Sequence, residues 1–197
     1  MSKSRKVVVT KQRTVHMYAE LWHASKCLLE DAIESRDNSP NLFLSSVVMT
    51  AFVFEAYLNH VGEKTFACWD EVERLPPWSK LELLSEKLGV SFPDGAGARP
   101  LQTIKKLLNF RNTMAHGRSD EIHFKPIIRT TENYHAAYHE ELLTDWEQLA
   151  RTREFPMRAR EDVKAVLVAL HEARQDDKEQ LFAFGAGLHG ATLVEES

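Results

Sequence analysis

The sequence predicts an all-α fold, a single-domain bundle of five to six helices. Apolar residues recur with a period near 3.6 in several long segments, which is typical of amphipathic helices. Proline, glycine and short polar turns separate these segments. No segment sustains the apolar–polar alternation of a half-buried strand, and no internal repeat is visible.

The first two helices are predicted over residues 14–36 and about 40–61. Between them, Ser39 is suited to be an N-cap and Pro40 to be the first helical residue. The second helix is apolar on nearly all sides, and Gly62 is its predicted end. Its most apolar stretch is shorter than the roughly 20 residues of a membrane span. We therefore interpret it as a buried central helix and expect no membrane contact.

The second half of the chain contains further helical patterns. Residues 79–88 form a short amphipathic helix, and residues 89–100 form a loop rich in glycine and proline. The next helix covers about 100–116 and ends before a glycine. Two more helices are predicted over about 132–152 and 158–174.

Charge and cysteine usage suggest how the chain is organised. Residues 1–13 form a basic arm, residues 14–175 a helical domain and residues 176–197 a tail. The arm has five basic residues and no acidic one, so the net charge of −4 leaves −9 for the remainder. We expect the arm and the tail to be flexible, although a basic arm can also contact nucleic acid. Cys27 and Cys68 match no zinc spacing and no signal peptide is visible, which indicates a reduced, cytoplasmic protein.

Arg111 interrupts the apolar face of the helix over residues 100–116. At ~100° per residue it falls between Leu107 and Ile104, in the middle of an arc of apolar side chains. Arginine is almost never fully buried without a partner. The position therefore requires either an anion inside the protein or an opening to solvent.

Two environments would satisfy Arg111. Its anion can be Glu55, which is alone among the apolar residues of the second helix, in a purely structural ion pair. Alternatively, this side of the helix borders a cleft or a subunit interface in which Arg111 and His116 face a phosphate. The planar guanidinium matches phosphate oxygens, and histidine exchanges a proton near neutral pH. Asn112 and His116 are four residues apart and share one helix face.

The segment "RNTMAH", residues 111–116, resembles the Arg-x4-His motif of HEPN domains (higher eukaryotes and prokaryotes nucleotide-binding), in its common form Arg-Asn-x-x-Ala-His. In that family the motif lies late in a helix of an all-α bundle. An apolar helix that often ends in an acid and "LN" precedes it, and "FEAYLN", residues 54–59, is similar. The resemblance covers roughly residues 15–150.

This resemblance implies a metal-independent endoribonuclease, often a toxin or a defence factor, that acts as a homodimer with both motifs in one cleft. Since they match the family's motif, the resemblance implies that Arg111 and His116 are catalytic and that Asn112 is a polar helper. His116 serves as general acid and base, and Arg111 holds the phosphate. The products are a 2′,3′-cyclic phosphate and a 5′-hydroxyl, and neither a metal nor another cofactor is implied. Glu55 and Asn59 are expected to support the motif.

RNA is the expected substrate, and Lys105 and Arg118 are expected to add phosphate contacts beside the motif. A nucleotidyltransferase-type antitoxin is the expected partner of a toxin. Because some HEPN proteins are not nucleases, the alternative is a non-catalytic helical dimer that binds a nucleotide, RNA or a protein. His135 and His139 lie at i and i+4, but we interpret them as surface residues because no third metal ligand is evident.

Overall fold

The computed structural model describes residues 6–35, 39–117, 119, 121, 128, 130, 132, 143–174 and 179–193. Within these residues, the fold is mostly helical, as predicted, and contains one small sheet. The helices are α1 (Met17–Glu34), α2 (Pro40–Thr65), α3 (Trp69–Val72), α4 (Pro77–Leu88), α5 (Leu101–His116), α6 (Asp145–Arg151) and α7 (Glu154–Ala173). The strands are β1 (Val7–Arg13) and β2 (Gly187–Leu193).

Helix α2 is the central element and packs against α1, α4, α5, α6 and α7. Its side chains Phe54, Tyr57 and Leu58 are completely buried, which confirms the predicted central helix. Among the described helices, α2 alone has the length and the apolar composition of a helix that could cross a membrane. In its apolar stretch of 18 residues, 50% of the residues are buried in the fold. The core around it is completed from α4, α5 and α7 by Leu84, Ile104, Leu107, Val163, Val166, Leu167 and Leu170.

Glycine ends α4 as expected but does not end α2. Gly89 adopts φ +69°, the left-handed conformation that closes a helix. The prediction that Gly62 ends α2 is wrong, because the helix continues to Thr65. A Cβ atom at Gly62 would overlap the indole of Trp69, which lies directly against the α2 backbone. The glycine is therefore required by packing between helices and not by a turn.

The helix predicted over residues 132–152 is wrong in its extent. Leu143 and Thr144 lie outside any helix, and α6 begins at Asp145. The Thr144 hydroxyl accepts the Glu147 backbone N–H at 3.3 Å, and the Glu147 carboxylate accepts the Thr144 backbone N–H at 2.7 Å. This capping box defines the start of α6. Hydrogen bonds from the backbone N–H and the hydroxyl of Thr144 hold the pKa of the Glu147 carboxyl below its usual value.

Strands β1 and β2 pair antiparallel, with Val7 opposite Leu193 and Arg13 opposite Gly187. The all-α prediction did not include this small sheet. The N-terminal arm and the C-terminal tail, both expected to be flexible, pair with each other over these ranges. Every residue of both strands is exposed, so neither strand has the buried face from which alternation arises. The β-branched run at the start of β1 was the remaining local signal.

Trp22 connects α1 to two other parts of the chain. The ring of Phe182, from the segment before β2, stacks on its indole with centroids 4.5 Å apart. The guanidinium of Arg160, from α7, lies 3.7 Å from the indole centroid. Arg160 also donates hydrogen bonds to the Trp22 carbonyl at 3.1 Å and to the Ser25 hydroxyl. Burial lowers the pKa of Arg160 to about 10.

Candidate functional site

Arg111 faces α2, and its anion is Glu55. Arg111 Nη2 donates to Glu55 Oε2 at 2.9 Å, and each side chain is 25% exposed. Of the two environments considered for Arg111, the ion pair with Glu55 is present in the structure. It lies at the edge of the core and not inside it, since both side chains remain partly exposed to solvent.

The ion pair belongs to a larger polar group, which we call the Glu55 network: Asn59, Lys80, Glu55, Arg111 and Asn112. Lys80 Nζ lies 3.6 Å from Glu55 Oε1 and donates to Asn59 Oδ1 at 2.8 Å. On the other side, Arg111 Nη1 donates to Asn112 Oδ1 at 3.1 Å. The network joins α2, α4 and α5, and it brings together four of the residues singled out in the sequence.

Lys80 is the member that sequence reasoning missed. Its side chain is only 1% exposed, which is rare for lysine and requires paired charge or hydrogen bonds. The signal was present in the sequence, because position 80 is one turn before Leu84 and therefore on the apolar face of α4. The same reasoning that singled out Arg111 would have identified it.

The charges of the Glu55 network do not cancel. One carboxylate is shared by two cations, Lys80 and Arg111, so the network has a surplus positive charge. The guanidinium of Arg111 also lies 5.9 Å from the centroid of the Phe52 ring, and Phe52 is 36% exposed. An exposed aromatic side chain therefore flanks a partly exposed cation on the surface of α2.

A groove runs along the exposed side of α5. Trp78, Lys105, Asn109 and Asn112 line a space of about 280 Å³ between α5 and the start of α4. Lys105 Nζ lies 4.7 Å from the centroid of the Trp78 ring. Asn112 therefore belongs both to the Glu55 network and to this groove, which offers an aromatic ring, a cation and two amides.

His116 is the last residue of α5 and is exposed. Within the described part of the chain its imidazole makes no hydrogen bond and no ion pair. It shares a helix face with Asn112, at i and i+4, and so continues the line of the groove. It is five positions after Arg111, which corresponds to a rotation of ~140° and a rise of ~7.5 Å along the helix. The two side chains consequently leave α5 in different directions.

A second groove, of about 700 Å³, lies on another side of α5. Lys106, Asn109, Trp146 and Arg158 contribute to its lining. Asp145 and Glu154 line it as well, so its charges are mixed. The predicted phosphate contact Arg118 and the histidines His135 and His139 lie outside the described residues.

A separate polar cluster surrounds Glu179, which lies beyond the end of α7. Its Oε1 is 3.3 Å from His16 Nε2 and 3.1 Å from His60 Nε2. Its Oε2 accepts from Lys64 Nζ at 2.7 Å and from Arg174 Nη2 at 3.0 Å. We call His16, His60 and Glu179 the Glu179 cluster. Its members come from three distant parts of the chain, so no local pattern in the sequence pointed to it.

Around Glu179, burial and hydrogen bonding shift side-chain pKa values in opposite directions. Burial by itself raises the pKa of the Glu179 carboxyl, but hydrogen bonds from Lys64, Arg174 and His60 outweigh it and lower that pKa to about 2. Burial lowers the pKa of His60, although its contact with Glu179 opposes this effect. Burial raises the pKa of the neighbouring Tyr18 hydroxyl to about 12. At neutral pH, Glu179 is therefore a carboxylate and Tyr18 a neutral phenol.

No protein-family model, curated protein sequence or solved structure matched this chain.

Proposed function

We propose that this chain is an HEPN-like, metal-independent endoribonuclease that cleaves RNA with Arg111 and His116 in the cleft of a homodimer. The observation that carries the proposal is the arrangement around Asn112. It connects an arginine already oriented by Glu55 to a groove on α5, and the exposed His116 lies one turn beyond Asn112 on the same helix face. A guanidinium held in one orientation binds a phosphate with a smaller loss of side-chain entropy than a free one.

The proposed reaction is transfer of the RNA phosphate to the neighbouring 2′-hydroxyl. A base removes the 2′-hydroxyl proton, the oxygen attacks phosphorus, and the bond to the 5′-oxygen breaks as that oxygen takes up a proton. The products are a 2′,3′-cyclic phosphate and a 5′-hydroxyl. Histidine suits both proton transfers because its ordinary pKa is near neutral. Arg111 stabilises the charge that develops on the phosphoryl oxygens.

The geometry of one helix supports the proposed dimer. Arg111 and His116 leave α5 ~140° apart, so a single copy does not direct both side chains at one phosphate. In a dimer, Arg111 of one copy and the partner's His116 can face the same phosphate across the shared cleft. The exposed ring of Phe52 beside Arg111 provides apolar surface for such a contact.

The groove along α5 suits single-stranded RNA. A base can stack against Trp78, while Lys105 contacts a phosphate. These contacts matter because the chain outside the N-terminal arm is acidic, with a net charge of −9. RNA binding must then depend on a few local cations and not on the general field of the protein.

The proposal is tested by incubating the purified protein with RNA in EDTA and analysing the product ends. We expect His116→Ala to lower the cleavage rate by about 10²–10⁴-fold and Arg111→Gln by about 10²–10³-fold. The matched controls are His189→Ala and Arg74→Gln, which change exposed residues away from α5. Absence of cleavage by the wild type, or equal rates in the motif and control variants, would overturn the proposal.

Two further variants separate binding from assembly. Lys105→Met should weaken RNA binding and reduce the slope of log affinity against log salt by about 0.7, the value for one single-strand phosphate contact. Phe52→Gln should weaken the dimer in sedimentation velocity and lower the cleavage rate in parallel. If Phe52→Gln leaves the protein dimeric and fully active, this face of α2 is not the subunit contact.

The second candidate is a non-catalytic HEPN-like helical dimer that binds a nucleotide, RNA or a protein partner such as a nucleotidyltransferase-type antitoxin. The observation that favours it is the Glu55–Arg111 ion pair, which satisfies the arginine without any reaction. It predicts RNA binding in fluorescence anisotropy without product formation, and the same affinity after His116→Ala.

A further inference from the structure

The Glu179 cluster has the donor atoms of a metal site. His16 immediately precedes α1, His60 lies in the last turns of α2, and Glu179 follows α7. One donor atom from each lies within 4.8 Å of the others. The three side chains are only 11–14% exposed, so their mutual arrangement is imposed by the fold and is not a chance contact on the surface.

The orientation of the His16 ring leaves a donor atom facing the carboxylate. His16 Nδ1 lies 2.9 Å from the Ala183 carbonyl oxygen. Because a carbonyl oxygen only accepts, Nδ1 carries the proton of the neutral ring, and Nε2 then presents its lone pair. That lone pair points at Glu179 Oε1, 3.3 Å away, so two acceptors face each other. A positive ion between them, either a proton or a metal, removes the conflict.

The distances in the cluster fit a metal of the size of zinc. With bonds of ~2.0–2.2 Å to nitrogen and oxygen, neighbouring ligands of a tetrahedral zinc ion lie ~3.3–3.5 Å apart. His16 Nε2 is 3.3 Å and His60 Nε2 is 3.1 Å from Glu179 Oε1. Only a small outward movement of the ligands is needed to admit the ion.

The surroundings support the ligands in the way that metal sites require. The N–H of His16 is held by a backbone carbonyl, and the second carboxylate oxygen of Glu179 is held by Lys64 and Arg174. Such outer hydrogen bonds orient the ligands of a metal.

A pocket borders the two histidines of the cluster. It has a volume of about 430 Å³ and is lined by His16 and His60 among others. The carboxylates of Glu63, Asp70 and Glu73 also line it, and they offset the positive charges of Lys64 and Arg174 that would oppose a cation. The pocket leaves room for a water molecule as a fourth ligand.

We propose that His16, His60 and Glu179 form a zinc-binding site whose fourth position opens into this pocket. Two histidines, one carboxylate and a water molecule are a ligand set used by zinc sites that polarise a bound water. The sequence indicated no metal, since these ligands lie 44 and 119 residues apart along the chain. The proposal is independent of RNA cleavage, because none of the three ligands belongs to the motif of α5.

The first experiment titrates Zn²⁺ into chelator-treated full-length protein by calorimetry, and Co²⁺ by visible absorption. We expect one equivalent to bind, with the intense bands of tetrahedral Co²⁺. His16→Gln and His60→Gln should each lower the affinity at least about 100-fold, more than the loss of an outer hydrogen bond does. The matched control is His23→Gln, because the His23 ring lies 3.6 Å from Cys27 Sγ and is the alternative place for an adventitious ion.

The second experiment does not depend on the variants folding. Zinc is added to the wild type labelled with ¹⁵N at histidine, and the ring nitrogens are followed by NMR. We expect the Nε2 resonances of His16 and His60 to shift while that of His189 stays unchanged. The proposal is overturned if the wild type binds no zinc, if it binds equally well after either ligand substitution, or if the shifts occur only at other histidines.

Discussion

Replacing Glu55 by glutamine removes the single anion that faces two cations. Arg111 lies 2.9 Å away at one carboxylate oxygen, and Lys80 lies 3.6 Å away at the other. Lys80 is 1% exposed, whereas Arg111 is 25% exposed. The substitution therefore leaves a buried ammonium whose remaining hydrogen bond is to Asn59. By contrast, Arg111→Met leaves Glu55 with Lys80 as a partner and with access to water.

These contacts set the expected free energies of unfolding. Removing one partner of a buried ion pair lowers the free energy of unfolding by ~3–5 kcal/mol. We expect Glu55→Gln to lie at the lower end, about 3 kcal/mol, because the buried ammonium keeps its hydrogen bond to the amide of Asn59. Arg111→Met should cost about 1 kcal/mol, because the pair it breaks is partly exposed. Two unit charges ~4 Å apart attract by ~4 kcal/mol at an effective dielectric constant of ~20, but desolvation and side-chain entropy offset most of it. We expect a coupling energy of about 1–2 kcal/mol between the two sites.

The assay is urea unfolding followed by circular dichroism, for the wild type, both single variants and the double variant. The expected difference of about 2 kcal/mol between the single variants corresponds to roughly 4–8 °C in Tm for a chain of this size. Glu63→Gln is the matched control, since it removes an exposed carboxylate from the same helix and should change stability by less than about 0.5 kcal/mol.

Two results would refute the reasoning. If Glu55→Gln costs no more than Arg111→Met, Lys80 does not depend on Glu55 for its charge compensation. If the Glu55–Arg111 coupling is strong while Arg111→Met cleaves RNA as fast as the wild type, the arginine is structural and the proposed catalytic role is wrong. This double-mutant cycle therefore distinguishes a structural role of Arg111 from a catalytic one with a single set of variants.

Four further outcomes are expected. Gly62→Val should destabilise the protein by about 1–3 kcal/mol, because its methyl groups need the space of the Trp69 ring, and tryptophan fluorescence should report the displacement. Arg160→Lys should cost about 1–2 kcal/mol in urea unfolding, because lysine cannot both stack on the tryptophan of α1 and keep the two hydrogen bonds to that helix. In the capping box of α6, Thr144→Ala should cost about 1 kcal/mol. The pKa of the Glu147 carboxyl is lower in the folded state than in the unfolded state. The stability that this carboxylate contributes is therefore fully present above its unfolded pKa and is lost as the pH falls through its folded pKa. The Tm difference between wild type and Glu147→Gln should accordingly shrink below about pH 4.

Some helix boundaries could be predicted from the sequence, whereas the capping box at the start of α6 and the position of Gly62 inside α2 could not. The start of α2 at Pro40 and the end of α4 before Gly89 depend on the conformational preferences of single residues, which the sequence displays directly. Gly62 has the same local signature as a helix end, but its role is to admit a tryptophan from the next helix. A local pattern cannot distinguish the two, because the neighbour is supplied by tertiary packing.

The sequence by itself determined the helical class, the central position of α2 and the unusual place of Arg111, and it offered Glu55 as one of two ways to satisfy that arginine. These follow from periods of three to four residues and from the cost of burying an unpaired charge, both of which can be read locally. The tertiary structure alone decided that Lys80 joins that pair, that the two ends of the chain form a sheet, and that Glu179 meets two histidines. Such contacts join residues up to 186 positions apart. They depend on how whole helices pack, and helical periodicity specifies which face is buried but not which residue it meets.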